Sequence, residues 1–230
     1  MPESADARTL LIFDCDGVLV DSEMIANATL AELITSLGRP MSTEESIRVF
    51  GGRSLKDVLA TAAELVGGEI PAETSARFGE QLFARFRAEL VAVTGVREAI
   101  AALPFRRCVA SSSHPDRLRL SLEVTGLAAL FGEHVYSATQ VARGKPAPDL
   151  FWFAARSVGH APSDCIVIED SPRGIEAARA AGMHAIGFAG ASHAGTDLPE
   201  LLRGAGAHRV IRDMGELPAT VTALRAAASA

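Results

Sequence analysis

The apolar run Leu10-Leu11-Ile12-Phe13 closes in Asp14-Cys15-Asp16-Gly17, and no other stretch limits the possible folds as tightly. Apolar residues of strand character, a carboxylate, a second carboxylate two positions on and a glycine predict a buried β-strand that stops at a polar turn. Side chains alternate along an extended backbone, so Asp14 and Asp16 face one side, roughly 6–7 Å apart at a rise of about 3.3 Å per residue, with Cys15 pointing away. Two like charges so placed cost free energy unless a cation lies between them, one is protonated, or both.

Runs of the same character recur at Arg107 to Ala110, His134 to Ser137, Cys165 to Ile168, Ala185 to Phe188 and Arg209 to Ile211, alternating with helical segments that close near Gly126, Gly159 and Gly182. This rhythm predicts an α/β fold: a Rossmann-like doubly wound parallel sheet covered on both faces. From about Ser22 to Leu90 the texture is helical instead. Leu30, Leu33, Ile34 and Leu37 recur at helical spacing, Gly38 ends the pattern, and Ser42 with Glu45 and Ser54 with Asp57 read as helix starts. The expectation is a discontinuous α/β core domain, residues 1–20 and 93–230, with an all-helical cap domain over 21–92 inserted into it. The two crossings between them, the second near Gly95, are where one domain could move against the other.

Composition narrows the partners. With 230 residues, 48% of them hydrophobic, and a formal charge of -6, the chain is expected to be globular, to bind neither nucleic acid nor membrane in general, and to be a monomer or small homo-oligomer. No run approaches the about 18 apolar residues of a membrane-crossing helix, and Met1 to Ala7 does not resemble a secretory signal, so a cytoplasmic location is expected. Cys15, Cys108 and Cys165 lie in or beside apolar runs without metal-ligand spacing and read as reduced packing residues.

In open parallel sheets, ligands bind outside the carboxyl ends of the strands. The strand ends here deliver Asp14 and Asp16; Ser111-Ser112-Ser113 ahead of Pro115; and Glu169-Asp170 ahead of Ser171-Pro172, the two prolines opening helices whose N-termini favour an anion. Lys145 stands in the proline-restricted loop Gly144-Lys145-Pro146-Ala147-Pro148. Carboxylates can hold Mg²⁺, a hard cation that prefers oxygen ligands, while a hydroxyl, an ammonium and helix ends suit phosphoryl oxygens. A carboxylate can itself attack phosphorus, so no histidine or cysteine nucleophile is required.

Four segments together resemble the motifs of the haloacid dehalogenase superfamily, in order and along nearly the whole chain: Asp14-Cys15-Asp16-Gly17-Val18-Leu19-Val20-Asp21-Ser22-Glu23, Ser111, Lys145 within Gly-Lys-Pro-Ala-Pro-Asp, and Glu169-Asp170-Ser171. The helical insertion falls where that family's small helical cap is expected. The resemblance implies that Asp14 is the nucleophile that becomes an aspartyl phosphate, and that Asp16 protonates the leaving alcohol and later deprotonates water. It implies Mg²⁺ held by the Asp14 carboxylate, the Asp16 backbone carbonyl and Asp170, with Glu169 supporting it directly or through water. Ser111, Lys145 and backbone N–H groups near Gly17 and Ser112 would bind phosphate. By their position alone, Ser112 or Ser113 could replace Ser111 if the strand ends a residue later, and Asp21 and Ser22 read as caps of the first helix in the insertion.

Substrate choice would lie with the cap and the pocket rim. Arg53, after Phe50-Gly51-Gly52, and Lys56 could reach a second polar part of the ligand; His114 could line the pocket, and His193 in Gly190-Ala191-Ser192-His193 is the next histidine of interest. The phosphoglucomutase branch of the family carries a histidine early in the first cap helix, where this chain has Ile25-Ala26-Asn27. The reading is therefore a phosphatase for a small phosphorylated metabolite, a sugar or sugar-acid phosphate. The alternatives are a sugar-phosphate mutase of the beta-phosphoglucomutase type and, from another class, a catalytically idle binding or regulatory module. Asp16 and Asp170 count against a dehalogenase. A phosphonate hydrolase would need a Schiff-base lysine in the cap, a role for which Lys56 has no supporting signal.

Overall fold

The computed structural model describes residues 8–51 and 55–228. Arg53 and the helix start expected at Ser54 lie outside those residues, as does the side chain of Lys56. Six parallel strands form one sheet: β1 (Leu10–Phe13), β2 (Arg106–Ser111), β3 (Val135–Ser137), β4 (Cys165–Glu169), β5 (His184–Phe188) and β6 (Arg209–Ile211), in the order β3-β2-β1-β4-β5-β6. Each strand forms where its apolar run predicts it, with ends displaced by a residue at most. The order reverses at β1, which sits between β2 and β4, so the carboxyl ends of these three strands border one crevice.

Burial on both faces explains the continuous apolar runs. Leu11, Phe13, Val109, Ile166, Ile168 and Ile186 pack on one side, while Leu10, Ile12, Cys108, Ala110, Cys165, Val167 and Ala185 pack on the other, the period-two division that a pleated strand imposes. The second face is covered by α7 (Asp149–Val158) and α8 (Pro172–Ala180). The first shares its core with α5 (Val96–Ala101), α6 (Pro115–Val124) and α10 (Leu217–Ala228), the alanine-rich C-terminal helix. A ninth helix, α9 (Leu198–Gly204), packs beside β5 and β6. All three cysteines are buried and unpaired, and no helix among the described residues is long and apolar enough to cross a membrane.

Between β1 and α5 the described residues form four helices: α1 (Glu23–Ser36), α2 (Thr43–Phe50), α3 (Leu55–Val66) and α4 (Ala72–Glu89). Ser42 caps α2 by accepting the Glu45 N–H. Leu30, Leu33 and Ile34 are buried with Phe78, Leu82 and Phe86 of α4. The chain leaves and re-enters the sheet side by side, with Asp21 N–H donating to Val91 O at 3.0 Å and Val93 N–H to Leu19 O at 3.0 Å. Between these bonds Val20 and Ala92 form an antiparallel bridge.

Candidate active site

Asp14 immediately follows β1 and extends its ladder, its N–H donating to Ile168 O at 3.0 Å. Its side chain is buried, and Oδ1 lies 3.1 Å from Lys145 Nζ. The same ammonium donates to Glu169 Oε1 at 2.6 Å and to Ala110 O at 3.0 Å, and stands 5.0 Å from the centroid of the Phe151 ring. Lys145 therefore ties together the ends of β1, β2 and β4. Burial pulls its pKa down, but Asp14 and Glu169 outweigh that and hold it well above the ordinary lysine value. Its loop is itself secured from α8, where Arg173 Nη2 donates to Lys145 O at 2.8 Å, a role that an arginine at a helix start does not signal in the sequence.

Carboxylate oxygens of Asp14, Glu169 and Asp170 lie within 4.8 Å of one another, and all three residues are buried. Burial, reinforced by the neighbouring acids and only partly opposed by Lys145, raises the Asp14 pKa well above the ordinary carboxylate value. Burial raises Asp170 too, against the His193 imidazole and with Glu169 adding to the rise. Glu169 is fully engaged: Oε1 takes Lys145, and Oε2 accepts from Ser171 N and Oγ, each at 2.9 Å. A Cβ on Gly174 would fall 1.9 Å from that carboxylate, so glycine in the first turn of α8 is what lets Glu169 lie there.

Asp16 faces elsewhere. Its Oδ1 accepts from Ser22 Oγ at 2.5 Å and Arg117 Nη2 at 2.7 Å, and its Oδ2 from Ser113 Oγ at 2.6 Å. Burial would raise its pKa, but Arg117 and the two hydroxyls prevail and hold it below the usual value. The electrostatic difficulty posed by two acids in Asp-x-Asp is thus met by giving each its own cation, Lys145 for Asp14 and Arg117 for Asp16, in place of one shared partner. Arg117 had no signal in the sequence beyond its position one turn into a helix that starts at a strand end. Its guanidinium also stands 5.2 Å from the Phe86 ring centroid of α4 and 4.0 Å from Glu23 Oε1 of α1. Glu23 is held from within the helical block, as Asn27 Nδ2 donates to its Oε2 at 3.1 Å and Asn27 Oδ1 accepts from Ser46 at 2.9 Å.

Several expected roles are redistributed. Ser22 occupies the position before α1, but its hydroxyl goes to Asp16 and makes no cap; Asp21 accepts from Ser192 Oγ at 2.7 Å instead of capping. Ser111 is buried and its Oγ accepts the Ser113 N–H at 3.2 Å, while Ser113 is the serine of the run that bonds an acid of the site. The Gly17 N–H is spent inside the turn on Val20 O at 2.8 Å. What Gly17 contributes is a φ of +77° and a missing Cβ, which would lie 1.9 Å from Asp170 Oδ2. His114 caps α6, accepting the Asp116 N–H, with its side chain 59% exposed and outside the acid cluster. His193 does reach the site, with Nε2 3.2 Å from Asp170 Oδ2.

The sequence matches the family of haloacid dehalogenase-like hydrolases over residues 11–188. It is 28% identical over 185 residues to the 6-phosphogluconate phosphatase of Escherichia coli (strain K12), which covers 80% of this chain and 83% of that protein. With hexitol phosphatase A of the same organism it shares 30% identity over 196 residues, 83% of this chain and 85% of that one. The crystal structure of a conserved haloacid dehalogenase-like protein of unknown function from Agrobacterium tumefaciens str. C58 superposes with a TM-score of 0.82 at 40% identity, covering 94% of this chain and 98% of that chain.

Proposed function

The chain belongs to the haloacid dehalogenase-like hydrolases, and from that premise we propose that it is a Mg²⁺-dependent phosphatase for a small sugar, polyol or sugar-acid phosphate, working through an aspartyl phosphate on Asp14. The observation that carries this reading is the buried set of Asp14, Glu169 and Asp170 around a single lysine at the carboxyl ends of β1, β2 and β4. Relatives named as phosphatases of 6-phosphogluconate and of hexitols support the substrate class.

The residues fit a hard cation. All three donors are carboxylates gathered about one lysine, burial raises the pKa of Asp14 and of Asp170 against the pull of that lysine, and Asp14 Oδ1 is buried without a hydrogen bond of good geometry among the described residues. Asp14 and Asp170 would hold Mg²⁺, with Glu169, whose oxygens are committed to Lys145 and Ser171, fixing the arrangement from behind. When bound, Mg²⁺ supplies charge neutralisation for the phosphoryl oxygens beside a carboxylate nucleophile.

Asp14 is the attacking group: its carboxylate forms a bond to phosphorus as the ester oxygen leaves. Lys145 orients that carboxylate, opposes the burial that raises its pKa and offers positive charge to the transferring group. Asp16 moves the protons. Held by Arg117, Ser113 and Ser22 it is an ionised carboxylate, the form that takes a proton from the water attacking the aspartyl phosphate; giving a proton to the leaving alcohol requires it to be protonated beforehand. The helical segment 21–92 is read as the cap, and Glu23 and Phe86 are its side chains that meet Arg117. Asn27, in the stretch where a mutase of this type carries histidine, is occupied by Glu23 and Ser46, which favours water as the final acceptor.

The test is release of inorganic phosphate by the purified protein with Mg²⁺ from a panel of sugar phosphates, sugar-acid phosphates, phosphoglycolate and nucleotides. Turnover that disappears in Asp14→Asn is expected. Absence of phosphate release across the panel refutes the reading, and interconversion of sugar phosphate isomers without release replaces it with a mutase.

A further inference from the structure

Asp170 and Glu169 are neighbours in sequence but are held by different means. Lys145 and Ser171 anchor Glu169 from beside its own strand. Asp170 instead lies against the backbone of the β1 turn, where a Gly17 Cβ would meet its Oδ2 at 1.9 Å and His193 Cε1 at 2.9 Å. The side chain that faces its carboxylate is His193, brought by the loop between β5 and α9, with Nε2 at 3.2 Å from Oδ2. The other ring nitrogen, Nδ1, is buried and has no hydrogen-bond partner among the described residues. An imidazole placed only for packing would leave that nitrogen unsatisfied with nothing in return. Among the described residues its polar contact is the Asp170 carboxylate.

The loop that delivers His193 is fastened on two sides. Ala189 N–H donates to Ile211 O at 2.9 Å, and a Cβ on Gly190 would lie 2.1 Å from Arg212 O, so the loop sits tightly on the end of β6. On the other side Ser192 donates its N–H, at 3.3 Å, and its hydroxyl, at 2.7 Å, to the Asp21 carboxylate. Asp21 lies at the crossing where the chain enters the helical segment, bonded to Val91 on the returning strand. A continuous path of contacts therefore runs from that crossing through Asp21 and Ser192 to His193 and Asp170.

We infer that His193 is a positioning residue that donates from Nε2 to Asp170 and fixes this carboxylate for a divalent cation, and that Asp21 holds it in place through Ser192. The inference rests on the reading of Asp170 as a metal-holding carboxylate. A donor behind a liganding carboxylate restricts its rotation and leaves the other oxygen for the metal; loss of such partners typically weakens metal affinity by about 10–100-fold.

The test is Mg²⁺ binding by isothermal titration calorimetry, with no substrate present. His193→Ala is expected to raise the Mg²⁺ Kd by about tenfold or more, while His193→Gln, whose amide nitrogen can take the place of Nε2, restores most of the affinity. Asp21→Ala, which leaves every side chain at the acid cluster intact, is expected to weaken Mg²⁺ in the same direction by a smaller factor, and serves as the decisive variant should His193→Ala fail to fold. An unchanged Kd in His193→Ala, or in a folded Asp21→Ala where that variant is decisive, overturns the inference and leaves the phosphatase reading standing. A wild-type protein that binds no Mg²⁺ overturns both.

Discussion

Replacing Lys145 by methionine keeps the length of the side chain and removes the one ammonium shared by Asp14, Glu169 and Ala110 O. Its partners stay buried: Glu169 has no exposed surface and Asp14 is 8% exposed. Breaking a buried ion pair by deleting one member costs about 3–5 kcal/mol, because the remaining charge is left without compensation. For a chain of this size that corresponds to a fall in Tm of roughly 6–20 °C. The companion change Glu169→Gln removes one of the acids that Lys145 neutralises, so the double variant Lys145→Met/Glu169→Gln is expected to be less damaged than the sum of the two single changes. A coupling of about 1–3 kcal/mol is expected from groups in direct contact within one network. Thermal melts and urea unfolding followed by circular dichroism in the presence of EDTA measure all four species without a contribution from bound metal. A Lys145→Met variant within about 2 °C of wild type, or single changes that add to within about 0.5 kcal/mol, would refute the view that this lysine neutralises the acid cluster.

Gly174→Ala drives a Cβ to 1.9 Å from the Glu169 carboxylate and is expected to destabilise by about 1–3 kcal/mol and abolish phosphate release. By contrast Gly79→Ala, within α4 and with nothing within 4 Å of the added methyl, should raise stability by about 0.5–1 kcal/mol in the same thermal melts. Removing the Asp16 partner with Arg117→Ala should lower kcat about tenfold or more on a sugar phosphate, whose alkoxide must be protonated. A clearly smaller loss is expected on p-nitrophenyl phosphate, whose leaving group needs no proton, and equal losses would separate Arg117 from Asp16. Burial, with Asp16 adding to it and Arg117 opposing, raises the Glu23 pKa above the ordinary 4.5. The folded protein therefore binds this proton more tightly than the unfolded chain, and the stability tied to it is present below the unfolded pKa and lost as pH rises through the folded one. Glu23→Gln should accordingly match wild type near pH 4 and exceed it in Tm near pH 7, both in EDTA; a constant difference across pH would be inconsistent with a raised pKa.

How much of the site could be read in advance depended on how far apart in the chain its parts lie. Asp14, Lys145, Glu169 and Asp170 stood out because each follows or neighbours an apolar strand, where a charge is costly without a partner. Arg173 and Arg117 did not, because arginine on helix starts is common and carries no local mark of a buried partner, while Ser113 was legible only as an alternative to Ser111 for phosphate and not as a partner of Asp16. The roles expected of Ser22 and Asp21 failed for a related reason. A helix N-cap is a local inference from residue type, and both side chains were drawn instead to groups arriving from elsewhere, Asp16 across the turn and Ser192 at a separation of 171 residues.

The six parallel strands, the helical block after the first of them and the acids at the strand ends are all written in the local pattern of residues. These follow from short-range rules: a strand buried on both faces must be apolar throughout, and it stops where the chain turns polar. Which cation serves which acid is settled only once the strands assemble. Arg117 lies 101 residues from Asp16 and Lys145 24 residues from Glu169, and they meet because the sheet reverses its order at β1 and brings the ends of β2 and β4 to either side of it. Along a helix a shift of one residue turns a side chain by about 100°, so partners at such separations are set by strand order and helix phase together, and no pattern within either segment records them.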